Sequence, residues 1–117
     1  MAQHIDTGRN GESLAATYLL AKGFTILEKN WRHKRSEVDV IAEQNGVLHF
    51  IEIKTRRSKK FGLPEEKVGT KKMQQLMIAA EEYLYLNPQW QRIQFDILAI
   101  LCLPDLPVDY FFIEDVS

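Results

Sequence analysis

The sequence predicts one α/β domain in which a mixed β-sheet is flanked by helices, in the order α-β-β-β-α-β-β. Three observations lead there. Apolar residues recur at helical spacing over residues 8–22 and again over 70–86. Five shorter stretches are rich in alternating or clustered β-branched and aromatic residues. Asn45-Gly46 separates two of these stretches as a hairpin turn does, and no linker, repeat or low-complexity segment divides the chain.

The first helix is expected from Gly8 to Lys22. Leu14, Tyr18 and Ala21 fall on one face, Gly23 stands where a helix stops, and Asp6 or Thr7 can cap the start. Phe24 to Leu27 favours a first strand that continues irregularly towards Trp31, followed by a basic connection at 32–35. Strands are expected at Glu37 to Glu43 and Val47 to Lys54, because Asn and Gly both tolerate the positive φ of the tight turn between them. Thr55 to Gly69 is charged, contains Gly62 and Pro64, and reads as a loop. Met73, Leu76, Met77, Ala80 and Leu84 form the stripe of a second helix, Thr70 to Leu86, which Asn87-Pro88 ends. Ile93, Phe95, Ile97, Ala99 and Leu101 alternate through a fourth strand, and Leu98 and Ile100 between them imply cover on both faces. After a turn at Pro104 to Pro107, Val108 to Ile113 is the last strand.

At 117 residues the chain fits one domain that buries roughly two-thirds of its unfolded surface. Its apolar fraction of 45% and charged fraction of 26% are ordinary for globular proteins, and no apolar run approaches a membrane span. The polar start, Met1 to Thr7, lacks the plan of a signal peptide, so a cytoplasmic location is expected. One cysteine, Cys102, and three scattered histidines exclude an internal disulfide and a zinc-ligand spacing. Any metal would be held mainly by oxygen. The net charge of −1 does not announce a nucleic-acid binder, but charge is unevenly distributed. Arg32, His33, Lys34 and Arg35 form one basic cluster, and Arg56, Arg57, Lys59 and Lys60 follow Lys54 in another. Either could meet phosphates or simply be a solvated loop.

With Asn45 and Gly46 as the hairpin loop, Gln44 faces Val47. The register then sets Ile41 opposite Phe50, Asp39 opposite Glu52 and Glu37 opposite Lys54, with all of these last six side chains on one face. Two acids facing each other on a sheet repel, and burial adds a desolvation cost. A divalent cation would offset both. Asp39, Glu52 and the peptide carbonyl of Ile53 could hold Mg²⁺ or Mn²⁺, with waters and a substrate phosphate completing the shell. Such an ion polarises phosphate and activates water, and Lys54, two residues from Glu52, could neutralise the charge that develops. The plainer alternative is a solvated sheet edge carrying a salt bridge, since Glu-x-Lys is a common tripeptide.

Around these residues the chain resembles the PD-(D/E)xK nuclease superfamily. Within it, the chain is similar to the YraN-like family of small bacterial proteins, which resembles archaeal Holliday-junction resolvases. The likeness runs through Gly11-Glu12, Ala15, Tyr18, Leu19, Gly23, Asn30 and Arg32, then Glu37 to Ala42 and Phe50 to Arg56, and later Phe61 to Pro64, Lys71, Arg92, Phe95 and Asp96. It implies a restriction-endonuclease-like fold, a site made of Asp39, Glu52 and Lys54, and Glu12 as a supporting carboxylate on the first helix. Ser36 stands where the family usually has Gly, and Val38 replaces the superfamily's proline; neither removes a ligand. Taken alone, Glu12 is an ordinary first-turn helix acid and Lys71 a solvated lysine. Asp96, inside an apolar strand, should accept a buried hydrogen bond from a neighbouring loop. His49, on the opposite face from Glu52, receives no catalytic role.

The first functional expectation is a Mg²⁺-dependent endonuclease acting on branched or damaged DNA, chosen by shape, and a homodimer if two strands are cut. The second is a non-cleaving nucleic-acid-binding accessory that keeps the fold. The third is a protein-interaction domain that pairs through the edge strand Val108 to Ile113.

Overall fold

The computed structural model describes residues 7–57 and 69–117. The elements follow the expected order: α1 (Thr7–Ala21), β1 (Thr25–His33), β2 (Ser36–Gln44), β3 (Val47–Arg56), α2 (Thr70–Leu86), β4 (Ile93–Leu101) and β5 (Asp109–Ile113). The five strands form one sheet in sequential order. All neighbours are antiparallel except β3 and β4, which run parallel from Leu48↔Ile93 to Arg56↔Leu101. A parallel pair cannot close through a tight turn, so the chain crosses over through α2.

Gly23 stops α1 as expected. Its φ of +93° turns the chain back, and the Phe24 N–H donates to the Leu19 carbonyl at 3.0 Å. The Asn45-Gly46 turn has positive φ at both residues, +54° and +80°. β1 departs from expectation: it is a full nine-residue strand, because pairing with β2 along its length overrides the poor strand propensity of Glu28-Lys29-Asn30. β3 runs past Lys54 to Arg56 because β4 keeps pairing with it, and β5 begins one residue after Val108.

Each sheet face carries one helix. Ala15 and Leu19 of α1 pack with Phe24, Val40, Ala42, Ile51, Leu98 and Ile100. Leu76, Ala79, Ala80 and Tyr83 of α2 pack with Val38, Ile41, Leu48, Phe50 and Phe95. Met77, expected on the buried stripe, is instead 49% exposed. The stripe is rotated towards Tyr83, whose ring meets Trp31 and Phe50 edge-on at centroid distances of 5.2 and 6.0 Å. β4 is buried from Phe95 to Leu101, as its double-sided apolar pattern requires. Its one buried acid, Asp96, is satisfied on both oxygens. Oδ2 lies 2.6 Å from His49 Nδ1, while Oδ1 accepts from Gln94 Nε2 at 2.7 Å and from the Asp115 N–H at 2.9 Å. No described helix is long and apolar enough to cross a membrane.

Candidate active site

The β2–β3 ladder starts at Gln44↔Val47, passes Ile41↔Phe50 as expected, and ends at Val40↔Ile51. Asp39 therefore does not pair across the sheet with Glu52, nor Glu37 with Lys54. The cause lies in the outer neighbours. β2 stays with β1 down to His33↔Ser36, and β3 stays with β4 up to Arg56↔Leu101, so the two central strands part beyond Val40. The pleat of β2 changes phase at the same point. Residues two apart on a strand normally share a face, yet Val38 packs in the α2 layer and Val40 in the α1 layer. Across from Asp39, between the pairs Lys29↔Val40 and Trp31↔Val38, Asn30 has a φ of +51°.

Asp39 sits in this fork. Its Oδ2 accepts the Ile53 N–H at 2.8 Å, so a side chain meets a strand donor where the ladder has ended. Together with Glu12, Ile53 and Thr55 it lines a cleft of about 120 Å³. Burial pushes the Asp39 carboxyl above its ordinary range; the Glu52 charge and, more weakly, that of Glu37 push the same way, while the Ile53 hydrogen bond and Lys72 pull it back. Glu12 is brought to the cleft by Gly11, where α1 approaches β3 so closely that an added Cβ would collide with the Thr55 hydroxyl.

Glu52 approaches from the other layer. Its Oε1 lies 3.2 Å from Lys72 Nζ on the first turn of α2, and Leu48 and Phe50, at alternate positions before it, pack in that same layer. Lys54 continues this alternation and shares the Glu52 face. The expectation that six side chains share one face is thus corrected. Asp39 and Glu12 come from the α1 side and Glu52 from the α2 side, because the pleat break turns Asp39 over. Glu37 instead meets Arg32 at 3.4 Å, with both side chains exposed.

The basic clusters fall at the β1–β2 turn and at the C-terminal end of β3. Arg32, Lys34 and Arg35 are exposed at the β1–β2 turn. There Lys34 and Arg35 line a cleft of about 430 Å³ with Gln75, Ile78 and Glu82 of α2. Arg56 ends β3 and Arg57 follows it, Arg56 donating to the Thr55 carbonyl at 3.2 Å. Lys59 and Lys60 lie outside the described residues. Sequence reasoning missed Lys72 and Thr55. The crossover held a partial signal for Lys72: a helix linking parallel β3 and β4 packs on the sheet beside them, so a lysine of its first turn can reach a β3 side chain such as Glu52.

The model of the uncharacterised protein family UPF0102 matches residues 11–100, which include Glu12, Asp39, Glu52, Lys54 and Lys72. The chain belongs to the UPF0102 family. This is the YraN-like group its motifs resemble. A UPF0102 protein of Flavobacterium psychrophilum is 42% identical over 100 residues, covering 86% of this chain and 84% of its own. UPF0102 proteins of Rhodococcus opacus and Chlorobaculum parvum are 40% and 45% identical, covering 86% and 80% of this chain and 86% and 74% of theirs. Among solved structures, Hjc of Archaeoglobus fulgidus, a Holliday junction resolvase, is similar with a TM-score of 0.49 and 19% identity. The match covers 87% of this chain and 74% of that one.

Proposed function

We propose that this UPF0102 protein is a metal-dependent endonuclease that hydrolyses DNA phosphodiester bonds at the Asp39 fork, selecting branched or damaged DNA by shape. The observation that carries this reading is the Asp39 carboxylate itself, half-buried where the ladder ends, held by the Ile53 N–H and under the charge of Glu52. The Ile53 N–H and Lys72 offset the two acids only in part, since burial and the Glu52 charge still push the Asp39 carboxyl up.

A hard cation fits the groups present. Among the described residues no three His, Cys, Asp or Glu side chains gather into a cage. The donors would be the carboxylates of Asp39 and Glu52 with the Ile53 carbonyl, an oxygen set that suits Mg²⁺ or Mn²⁺ and leaves positions for water and phosphate. When bound, the ion would polarise the phosphate and lower the pKa of the attacking water.

The chain supplies the rest. The Ile53 N–H fixes the orientation of the Asp39 carboxylate. Glu12, on the same cleft, accepts a hydrogen bond from the attacking water and takes its proton. As the water oxygen bonds to phosphorus and the ester P–O bond breaks, the Lys54 ammonium meets the charge building on the phosphate oxygens. The departing oxygen is protonated by solvent. Arg56, Arg57, Lys59 and Lys60 of one basic cluster and Arg32, Lys34 and Arg35 of the other hold the DNA backbone. Cutting both strands of a junction calls for a homodimer, acting in the cytoplasm.

The test incubates purified protein with linear, nicked, flapped and four-way DNA in Mg²⁺, Mn²⁺ or EDTA. Cutting should require metal, and Lys54→Ala should slow it by about 10²- to 10³-fold. One observation favours a second reading: Lys72 already neutralises Glu52, as it could in a non-cleaving accessory that binds DNA without metal. Binding with no cutting across the whole panel would select that reading.

A further inference from the structure

We propose that Lys72 is a built-in counter-ion of this site: its ammonium holds Glu52 while no divalent cation is bound, and moves to a DNA phosphate when the cation takes Glu52. This rests on the nuclease-site reading above and extends it to a coupling between metal and DNA binding.

Two features of the structure carry the inference. First, Lys72 Nζ and Glu52 Oε1 are 3.2 Å apart with side chains 35% and 14% exposed, so the acid is largely enclosed while the base keeps a way out to solvent. Second, α2 begins against the usual preferences of a helix. Its first turn holds Lys71 and Lys72 and no acid. The helix dipole disfavours cations at that end. Local rules broken without a packing gain mark a functional position. Lys71 is exposed, whereas Lys72 is half-buried and turned onto Glu52.

A divalent cation brings more charge to Glu52 than one ammonium does, so Lys72 gains nothing by staying. Its four-carbon stem carries the charge outwards, and a phosphate arriving at the fork is the anion within its reach. The Lys72–Glu52 pair is therefore lost on metal binding and replaced on DNA binding. Each ligand then favours the other, as linkage between two sites requires.

The test compares wild type with Lys72→Met, Lys72→Arg and Asp39→Asn. In calorimetric titration with Mn²⁺ and no DNA, Lys72→Met should bind roughly three- to tenfold more tightly than wild type, because no ammonium competes for Glu52. Lys72→Arg should bind as wild type does, and Asp39→Asn should lose most binding. For a four-way DNA, Lys72→Met should match wild type in EDTA. In Ca²⁺ it should bind more weakly, with a log K against log salt slope shallower by about 0.9. Equal Mn²⁺ affinity in wild type and Lys72→Met, with Asp39→Asn still defective, would overturn the proposal and leave the metal site standing. Absence of Mn²⁺ binding in both wild type and Lys72→Met would overturn the two together.

Discussion

The Asp39 carboxyl has a measurable consequence of its own. Its acidity is weakened in the folded chain, above all by burial, so its ionised form favours unfolding. The stability it contributes is full below the ordinary Asp value of 3.8 and is lost as pH rises through its higher folded value. Asp39→Asn keeps an oxygen for the Ile53 N–H and removes the charge. In EDTA at neutral pH the variant should melt at or above wild type, and the gap should close as pH falls towards 4. Mn²⁺ should raise the wild-type melting temperature and move the variant little. A variant that is less stable in EDTA and answers Mn²⁺ as wild type does would make Asp39 an ordinary structural acid. The candidate residues Asp39, Glu52 and Lys54 were legible in the sequence by type and spacing. Their arrangement was not, because it depends on the φ of +51° at Asn30 and on which strand each neighbour keeps. Hairpin register alone carries Asp39 past the point where the ladder stops. Lys72 was missed for a similar reason: a lysine in a helix reads as solvated until the crossover sets it beside β3.

Among the elements, α1 depends on a single bare backbone position. Gly11 faces Thr55, and a methyl group there would strike the Thr55 hydroxyl. Gly11→Ala should cost about 1–3 kcal/mol in urea unfolding through overpacking, even though Ala favours helix, and it should displace Glu12 from the cleft. Thr55→Ala removes the obstructing oxygen, so the double variant should recover most of that loss; additive costs would mean the two residues do not meet. Element order and type were readable because their periodicities are long and their punctuation explicit: α2 and β4 have the expected bounds, and Gly23 and Asn45-Gly46 sit at the ends they mark. β1 was legible only in part. Its strand character at Glu28-Lys29-Asn30 comes from pairing with β2 and not from its own residues.

Across the whole molecule, the sheet joins two segments of different origin. β1, β2 and β3 form a meander of chain neighbours, whereas β4 must return across α2 to lie beside β3, and β5 then closes on β4. The buried His49–Asp96 pair ties β3 to β4, and Asp96 also receives the Asp115 N–H beyond β5. The parallel β3–β4 junction thus has a kinetic meaning. Its partners, such as Leu48 and Ile93, are far apart in sequence, so their pairing carries a loop-closure cost that the Asn45-Gly46 hairpin avoids. The meander with its local turn should be largely formed at the folding barrier, and β4 should dock after it. Ile41→Val, in the hairpin, should therefore mainly slow folding, while Ile97→Val, in β4, should mainly speed unfolding, each costing about 1 kcal/mol. Stopped-flow chevrons would show the reverse partition if β4 joins first. On the expected route Glu52 and Lys54 gain their β4 neighbours, Ile97 and Ala99, only in the last committed step, so a nascent chain would carry its acids and bases long before it could do anything with them.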